Sequence, residues 1–430
     1  MLGERGSPPR RYTGAVELPP RSITAEEYAP FSLCFEAAFG IQPTEADLEL
    51  WRKAVDLDRT LAVFERDEVV ASADSYWFDL TLPGARTLPV AGVTRVAVRG
   101  THRRRGLLTA LMRTLLDEAH GRGEAVAVLT ASEGAIYGRF GYGLATVQAS
   151  VELSTAHAAF SRPVERTGRL NQVDTETARK VAPAVHDRAR RRQPGDVERQ
   201  DWYWDVHFAD PHWAREGASG LFHVLHESAA GDPDGYAAYR WKDNWKRGNP
   251  ANEVVVVDAF ADTPAVEAQL WRHLLDLDLA AKVSAWKRPL DDPLRWLLAD
   301  PRRLEVTSVR DDLWVRLLDL PAALGARLYA TTDRLVMELS DGFCPWNQGG
   351  WALEAGPDGP GRARRTGPRE PADLRLGVAE LGSLFLAGVR ASDLARVGRV
   401  EELTPGALAR ADALFGPVGG EPAPFCRSGF

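Results

Sequence analysis

The chain has 430 residues, 44% of them hydrophobic and 26% charged, with a formal net charge of -7. At roughly 150 residues per domain, that length predicts about three domains of ordinary globular composition. The negative balance excludes a global basic field for nucleic acid or an anionic membrane, and no apolar run reaches the roughly 18 residues that a membrane-spanning helix needs.

Residues 1 to about 20 read as a loose leader without the apolar segment of a signal peptide. Thr24, with Glu27 three residues on, reads as the cap of a helix running through Phe35. Pro43-Thr44-Glu45 opens a second helix, to about Val55. Residues 60–65 and 68–78 alternate like paired strands around Arg66-Asp67, and residues 92–98 form a further strand. Residues 107–121 predict a helix with Leu107, Leu108, Leu111, Leu115 and Ala119 on its apolar side. A buried strand at 125–130, a short helix at 136–139 and a strand at 144–153 follow. Helices, antiparallel strands, helix and strand in this order make an α+β layout.

After Thr155 the order restarts. Residues 166–174 read as a strand, 176–191 as a helix, 220–227, 235–241 and 253–259 as strands, 264–277 as a helix and 281–286 as a strand. The repetition suggests a diverged duplication. Turns at Pro289-Leu290-Asp291-Asp292-Pro293 and Asp300-Pro301 precede a third unit beginning near Asp312-Leu313-Trp314. Residues 356–371, rich in Gly, Pro and Arg, read as a loop, 378–386 as a helix and 419–430 as an extended tail.

One stretch carries chemistry: Val96-Ala97-Val98-Arg99-Gly100-Thr101-His102-Arg103-Arg104-Arg105-Gly106-Leu107-Leu108. It is a strand, a basic turn and the start of an amphipathic helix. The first N–H groups of a helix have no intrahelical acceptor, and with the helix dipole they make an anion site. Gly106 lets a bulky diphosphate approach the backbone, and the arginines add charge-assisted bonds. An isolated RxxG would read as a solvated turn; its place between strand and helix is what gives it meaning. The second element is Ala131-Ser132-Glu133-Gly134-Ala135-Ile136-Tyr137-Gly138-Arg139-Phe140-Gly141-Tyr142. The strand before it should splay from its neighbour and leave room for a thioester arm. Tyr137 lies just past the strand end, where a phenol can donate a proton to a departing thiolate, whereas Tyr142 reads as a packing aromatic. Cys34, Cys344 and Cys426 are far apart and form no CxxC pair, which speaks against a disulfide framework or a cysteine metal site and fits a reducing cytoplasm.

These two motifs together resemble the Eis family, the enhanced-intracellular-survival acetyltransferases of actinobacteria. The resemblance extends to Pro289-Leu290-Asp291-Asp292-Pro293-Leu294, to Asp311-Asp312-Leu313-Trp314-Val315-Arg316-Leu317 and to a chain closing on Phe, and so covers nearly all of the sequence. It implies an α+β fold of two tandem GNAT-like domains, the second degenerate, followed by a sterol-carrier-like domain: residues 1–160, 161–308 and 309–430. It also implies acetyl-CoA as cosubstrate, no metal, a small-molecule amine as acceptor, and a homohexamer. By motif, Val96, Ala97 and Val98 would hold the pantetheine arm, Arg104, Arg105, Gly106, Leu107, Leu108 and Thr109 the diphosphate, and Ser132 and Glu133 the cofactor near the strand end. Tyr137 would be the general acid, and the α-carboxylate of Phe430, reaching back from the tail, the general base. A free α-carboxylate has a pKa of about 3.3–3.7, so burial or a relaying water has to help it.

The second domain has no RxxG, offers Asp258 and Asp262 where cations are needed, and reads as structural. Gly429 stands where relatives of strongly cationic substrates can carry an acid, and Arg95 adds a positive charge before the strand; both lower the attraction for a polycation. Trp51 reads as a wall of the cleft or as core, His102 as a turn residue, and Arg188 to Arg192 as a solvated helix face or an oligomer contact. The expected activity is N-acetylation of small-molecule amines, including aminoglycosides at more than one position. Lysine acetylation of a protein or peptide is the alternative, and a non-catalytic acyl-CoA or lipid-binding module is the reading from another class.

Overall fold

The computed structural model describes residues 18–367 and 369–430; nearly all of the expected leader lies outside the described residues. The chain divides into two compact units. One holds the described residues up to Tyr76 together with Val93–Glu118, the other Trp77–Gly92 together with Ala119–Phe430.

The first unit opens with α1 (Tyr28–Ala38) and α2 (Glu45–Arg52). At α2 the Asp47 N–H donates to Thr44 Oγ1 at 3.3 Å and the Thr44 N–H to the Asp47 carboxylate at 2.9 Å, a closed capping box. Helix α1 starts four residues later than Thr24, because the Glu27 carboxylate takes the Thr24 N–H at 2.9 Å while also pairing with Arg21, and this closes a turn instead. Strands β1 (Leu61–Glu65) and β2 (Glu68–Leu82) pair antiparallel around Arg66-Asp67, at φ +50° and +67°. Two successive left-handed residues match the natural twist of a hairpin. β3 (Arg86–Val98) and α3 (Leu107–Gly121) follow. The core gathers Phe31, Cys34, Val55, Ala62 and Val69.

In the second unit the turn between β2 and β3 is followed by β4 (Val126–Thr130) and a one-turn 3-10 helix, Tyr137–Phe140. The sequence reads 144–153 as one strand, but there are two, β5 (Gly143–Leu144) and β6 (Val147–Ser154), lying in different sheets. Between them the N–H groups of Ala145 and Thr146 both turn to the Leu313 carbonyl, at 3.0 and 3.2 Å, and break the ladder.

Beyond lie β7 (Gly168–Val173), α4 (Thr175–Arg190), α5 (Asp201–Ala209), β8 (Phe222–Ser228), β9 (Pro233–Lys242), a small hairpin of β10 (Trp245–Lys246) and β11 (Asn249–Pro250), and β12 (Asn252–Ala261). Then come α6 (Pro264–Leu275), β13 (Ala280–Arg288), α7 (Leu294–Leu297) and β14 (Glu305–Asp311). A seven-stranded sheet runs β14-β6-β13-β12-β9-β8-β7. The β12–β13 pair is parallel, with α6 as its crossover, and Val254, Val256, Val283 and Ala285 alternate into a core with Leu270, Trp271 and Leu274. Of the arginines at 188–192, expected to face solvent, Arg190 is buried against Asp187 at 2.7 Å.

The third unit, expected to begin near Asp312, opens instead with a strand of the earlier sheet. β15 (Leu313–Leu317) pairs with β4 from Leu313↔Thr130 to Leu317↔Val126 and, on its other side, with β5. Only then come α8 (Leu320–Ala326), β16 (Asp333–Ser340), β17 (Gly349–Gly356), β18 (Gly359–Arg365), β19 (Leu374–Gly377), α9 (Val378–Leu384), α10 (Ala391–Ala395), β20 (Val400–Glu402) and α11 (Ala407–Phe415). Their sheet runs β18-β17-β16-β19-β20. β18 occupies half of the expected loop at 356–371, because as an edge strand it needs partners on one side only and turns several arginines to solvent. Among the described residues no helix is long and apolar enough to cross a membrane.

Candidate active site

In the first unit, β3 is distorted at Arg95, whose φ of +47° is rare for a residue with a side chain. The Arg95 guanidinium is 10% exposed and pairs at 2.8 Å with Asp74, which is 1% exposed. It also lies over the Tyr76 ring, and the Arg95 carbonyl accepts from Ser72 Oγ at 2.9 Å. Arg95 therefore brings no unbalanced charge, contrary to the sequence expectation: Asp74 neutralises it in the interior.

Past β3 the chain bonds back through the Arg99 N–H to the Val70 carbonyl at 2.9 Å. His102 and Arg105 both reach Glu65, at 2.9 and 2.7 Å. These bonds, that of Arg105 first, hold the Glu65 carboxyl down to about 2. His102 is thus a braced turn residue, as expected. Arg104 and Gly106 are both left-handed, at φ +64° and +83°. The first intrahelical bond of α3 runs from the Ala110 N–H to the Gly106 carbonyl at 3.0 Å. Leu107, Leu108 and Thr109 thus have N–H groups that the helix cannot satisfy. A Cβ added to Gly106 would meet nothing within 4 Å, so the turn is uncrowded on that side. Val96 and Val98 are half-buried, and Ala97 and Leu107 are buried. This half of the predicted set thus stands at a basic, left-handed turn and at the N-terminal N–H groups of α3.

In the second unit the ladder of β3 with β4 covers only Ala91↔Ala127 and Gly92↔Val128. β4 continues to Thr130, whose hydroxyl donates to the main-chain oxygen of Phe430 at 3.1 Å. The Phe430 ring stands edge-on to Phe78, with centroids 4.8 Å apart. Gly92 is required here: a Cβ would lie 2.4 Å from the Phe78 ring and 3.4 Å from that of Phe430. The far end of the chain is therefore docked at the end of β4. Ser132 and Glu133 are exposed in the loop after β4, and Tyr137 is buried at the start of the 3-10 turn, edge-on to Tyr142. Burial, with a smaller push from Glu133, raises the Tyr137 phenol to about 12, so it stays protonated near neutrality. Tyr142 is fully buried, as a packing aromatic should be. Gly429 is exposed.

The two acids noted in the central sheet are already spoken for: Asp258 pairs with Arg199 and Asp262 with Arg188 at 2.7 Å. Asp74, Phe78, Gly92 and Thr130 escaped sequence reasoning. They carry no motif, and their roles depend on partners far along the chain.

The chain's relatives agree with this architecture. Residues 19–145 match a family described as an acetyltransferase (GNAT) domain, residues 195–317 a second family of that description, and residues 320–427 a sterol carrier protein domain. An uncharacterized N-acetyltransferase of Streptomyces coelicolor is 39% identical over 421 residues, 96% of this chain and 100% of its own. The N-acetyltransferase Eis of Mycobacterium tuberculosis is 36% identical over 376 residues, 85% of this chain and 88% of its own. The crystal structure of Eis1 from Mycobacterium abscessus is 35% identical with a TM-score of 0.84, over 96% of this chain and 100% of that one.

Proposed function

Because this chain belongs to the Eis family of GNAT N-acetyltransferases, we propose that it moves the acetyl group of acetyl-CoA onto amines of small molecules, aminoglycosides among them, at more than one position. The observation that carries the proposal is the strand–turn–helix whose first N–H groups, from Leu107 to Thr109, the helix leaves unsatisfied, together with a phenol and a chain terminus at the end of β4.

Acetyl-CoA supplies an acetyl group activated as a thioester. Backbone donors from Arg104 to Thr109 hold its diphosphate, and Val96 to Val98 offer a strand edge to the pantetheine amides. Ser132 and Glu133 border the cofactor past β4. The α-carboxylate of Phe430, steadied by Thr130, attracts the acceptor's ammonium. A carboxylate near 3.5 cannot deprotonate an ammonium near 10 outright. The acceptor attacks instead as the neutral amine in equilibrium with that ammonium, and its nitrogen, positively charged and acidic once bonded to the thioester carbon, then passes its proton to the carboxylate. Tyr137, held near 12, faces a thiolate whose thiol is ordinarily near 8.5, a gap worth about 5 kcal/mol. Tyr137 therefore acts chiefly as a strong hydrogen-bond donor to the departing sulfur, completing proton transfer as charge builds there. We also propose a cytoplasmic homohexamer.

The test is thiol release from acetyl-CoA with a panel of aminoglycosides and lysine peptides. Tyr137→Phe is expected to lower kcat about 100-fold while CoA binding stays intact. Absence of thiol release with any amine would sink the enzymatic reading in favour of a binding module, and release with peptides alone would favour lysine acetylation. Light scattering in solution reads the assembly directly.

A further inference from the structure

Arg199, Lys287 and their acid partners have no part in that reaction, yet they are buried charges of the kind that proteins keep only when they are well paired. They stand where the second GNAT domain opens. The parallel ladder of β12 with β13 ends at Val256↔Ala285, and β12 slips register against β9 between Val256 and Asp258. Beyond that point lies a cavity of about 320 Å³, walled by Val256–Ala259 on one strand and Ala285–Arg288 on the other.

Here the chain's own tail walls the cavity, through Arg427 and Gly429. Ser428 is gripped twice. Arg199 Nε donates to its Oγ at 2.9 Å, and Lys287 Nζ to its carbonyl at 3.0 Å. Each cation has a buried counter-ion, Asp258 for Arg199 and Asp312 for Lys287, the latter at 3.0 Å. Arg199 is 1% exposed and Asp312 is fully buried. Asp312 also accepts the Cys426 N–H at 3.3 Å, and Asp196 accepts the Arg427 N–H at 3.0 Å and pairs with its guanidinium. Burial alone would pull the Lys287 ammonium down, but Asp312 and its neighbours raise it, so it remains a cation. Two residues past Ser428, Phe430 meets Thr130 and Phe78. A terminus is ordinarily the least ordered part of a domain; this one is fixed by a lattice of charges.

We infer that the parted strands of the second GNAT domain serve as a receptor for the tail, and that Arg199 and Lys287 are positioning residues that set where Phe430 stands. The inference rests on the proposal that Phe430 supplies the base. It gives the second domain a part in the reaction that needs no cofactor there: its opening grips the tail and sets the base.

The experiment uses full-length protein with 4-fluorophenylalanine at position 430, and measures kcat, the KM for acetyl-CoA and the fluorine resonance. Lys287→Met is expected to broaden or shift that resonance and lower kcat by about 10- to 100-fold, since misplacements of an ångström cost that much. The KM for acetyl-CoA should stay within about twofold, and Lys287→Arg should restore most of kcat, neither of which general damage to the fold would produce. Should Lys287→Met fail to fold, Ser428→Ala, which removes only the oxygen held by Arg199, is expected to move the resonance and lower kcat by several-fold. An unmoved resonance with kcat within about twofold of the parent in the folded variants overturns the positioning role. Deleting Phe430 separates the premises: full kcat without it refutes the base, while the resonance in the clamp variants still decides whether the second domain holds the tail.

Discussion

Asp74 shows how much one residue beside the site weighs on the fold. Burial lifts its carboxyl to about 6 against the pull of Arg95. An unfolded aspartate titrates near 3.9, so the folded state binds this proton more tightly. The stability it contributes is complete below about pH 4 and is lost as the pH rises through 6, by about 3 kcal/mol. Asp74→Asn lacks that titration. The stability of the variant minus that of the parent, from urea unfolding, should climb between pH 4 and 6 and then level off; a flat difference across that window would mean that Asp74 is ionised throughout. Nothing in the sequence marks this pair, since Arg95 lies 21 residues away and needs two strands side by side to meet it. The short helix at Tyr137 and the turn at Gly106 were legible because their signals are local. Lys287 and Ser428, 141 residues apart, were not.

At the scale of elements, β3 with its turn and α3 was the most legible part. Apolar spacing and a basic glycine turn bound the helix at the same residues, Leu107–Gly121, that the structure gives. Gly106→Val should weaken CoA binding tenfold or more, because a β-branched side chain at φ +83° is strained and shifts the turn that leads into α3. Calorimetric titration with CoA would test it, and an affinity within about twofold of the parent would place the diphosphate elsewhere. The break between β5 and β6 was invisible, for both halves alternate with the same period and only the distant Leu313 carbonyl diverts Ala145 and Thr146. β18 was masked by composition: glycines and arginines signal a loop unless a neighbouring strand supplies hydrogen bonds.

At the scale of the whole molecule, length, the restarted pattern and the family resemblance foretold two GNAT domains and a sterol-carrier-like domain. They did not foretell that the sheets exchange strands. β6 lies between β13 and β14, while β15 lies between β4 and β5. A fragment of residues 1–160 leaves β4 without five residue pairs and β6 without a partner. Such exposed edges invite aggregation, so the fragment should be recovered as aggregate rather than as a monomer on gel filtration; a monomer with native-like amide protection in β4 would contradict this. The exchange also shapes how such genes can recombine. A crossover between divergent relatives at residue 155 would set one parent's β4 against the other's β15, and one parent's β6 against the other's β13. A crossover between Leu317 and Leu320 would keep every strand of the first two sheets with its own partners. The third module can then be inherited as a piece only if the tail it carries still fits the other parent's clamp.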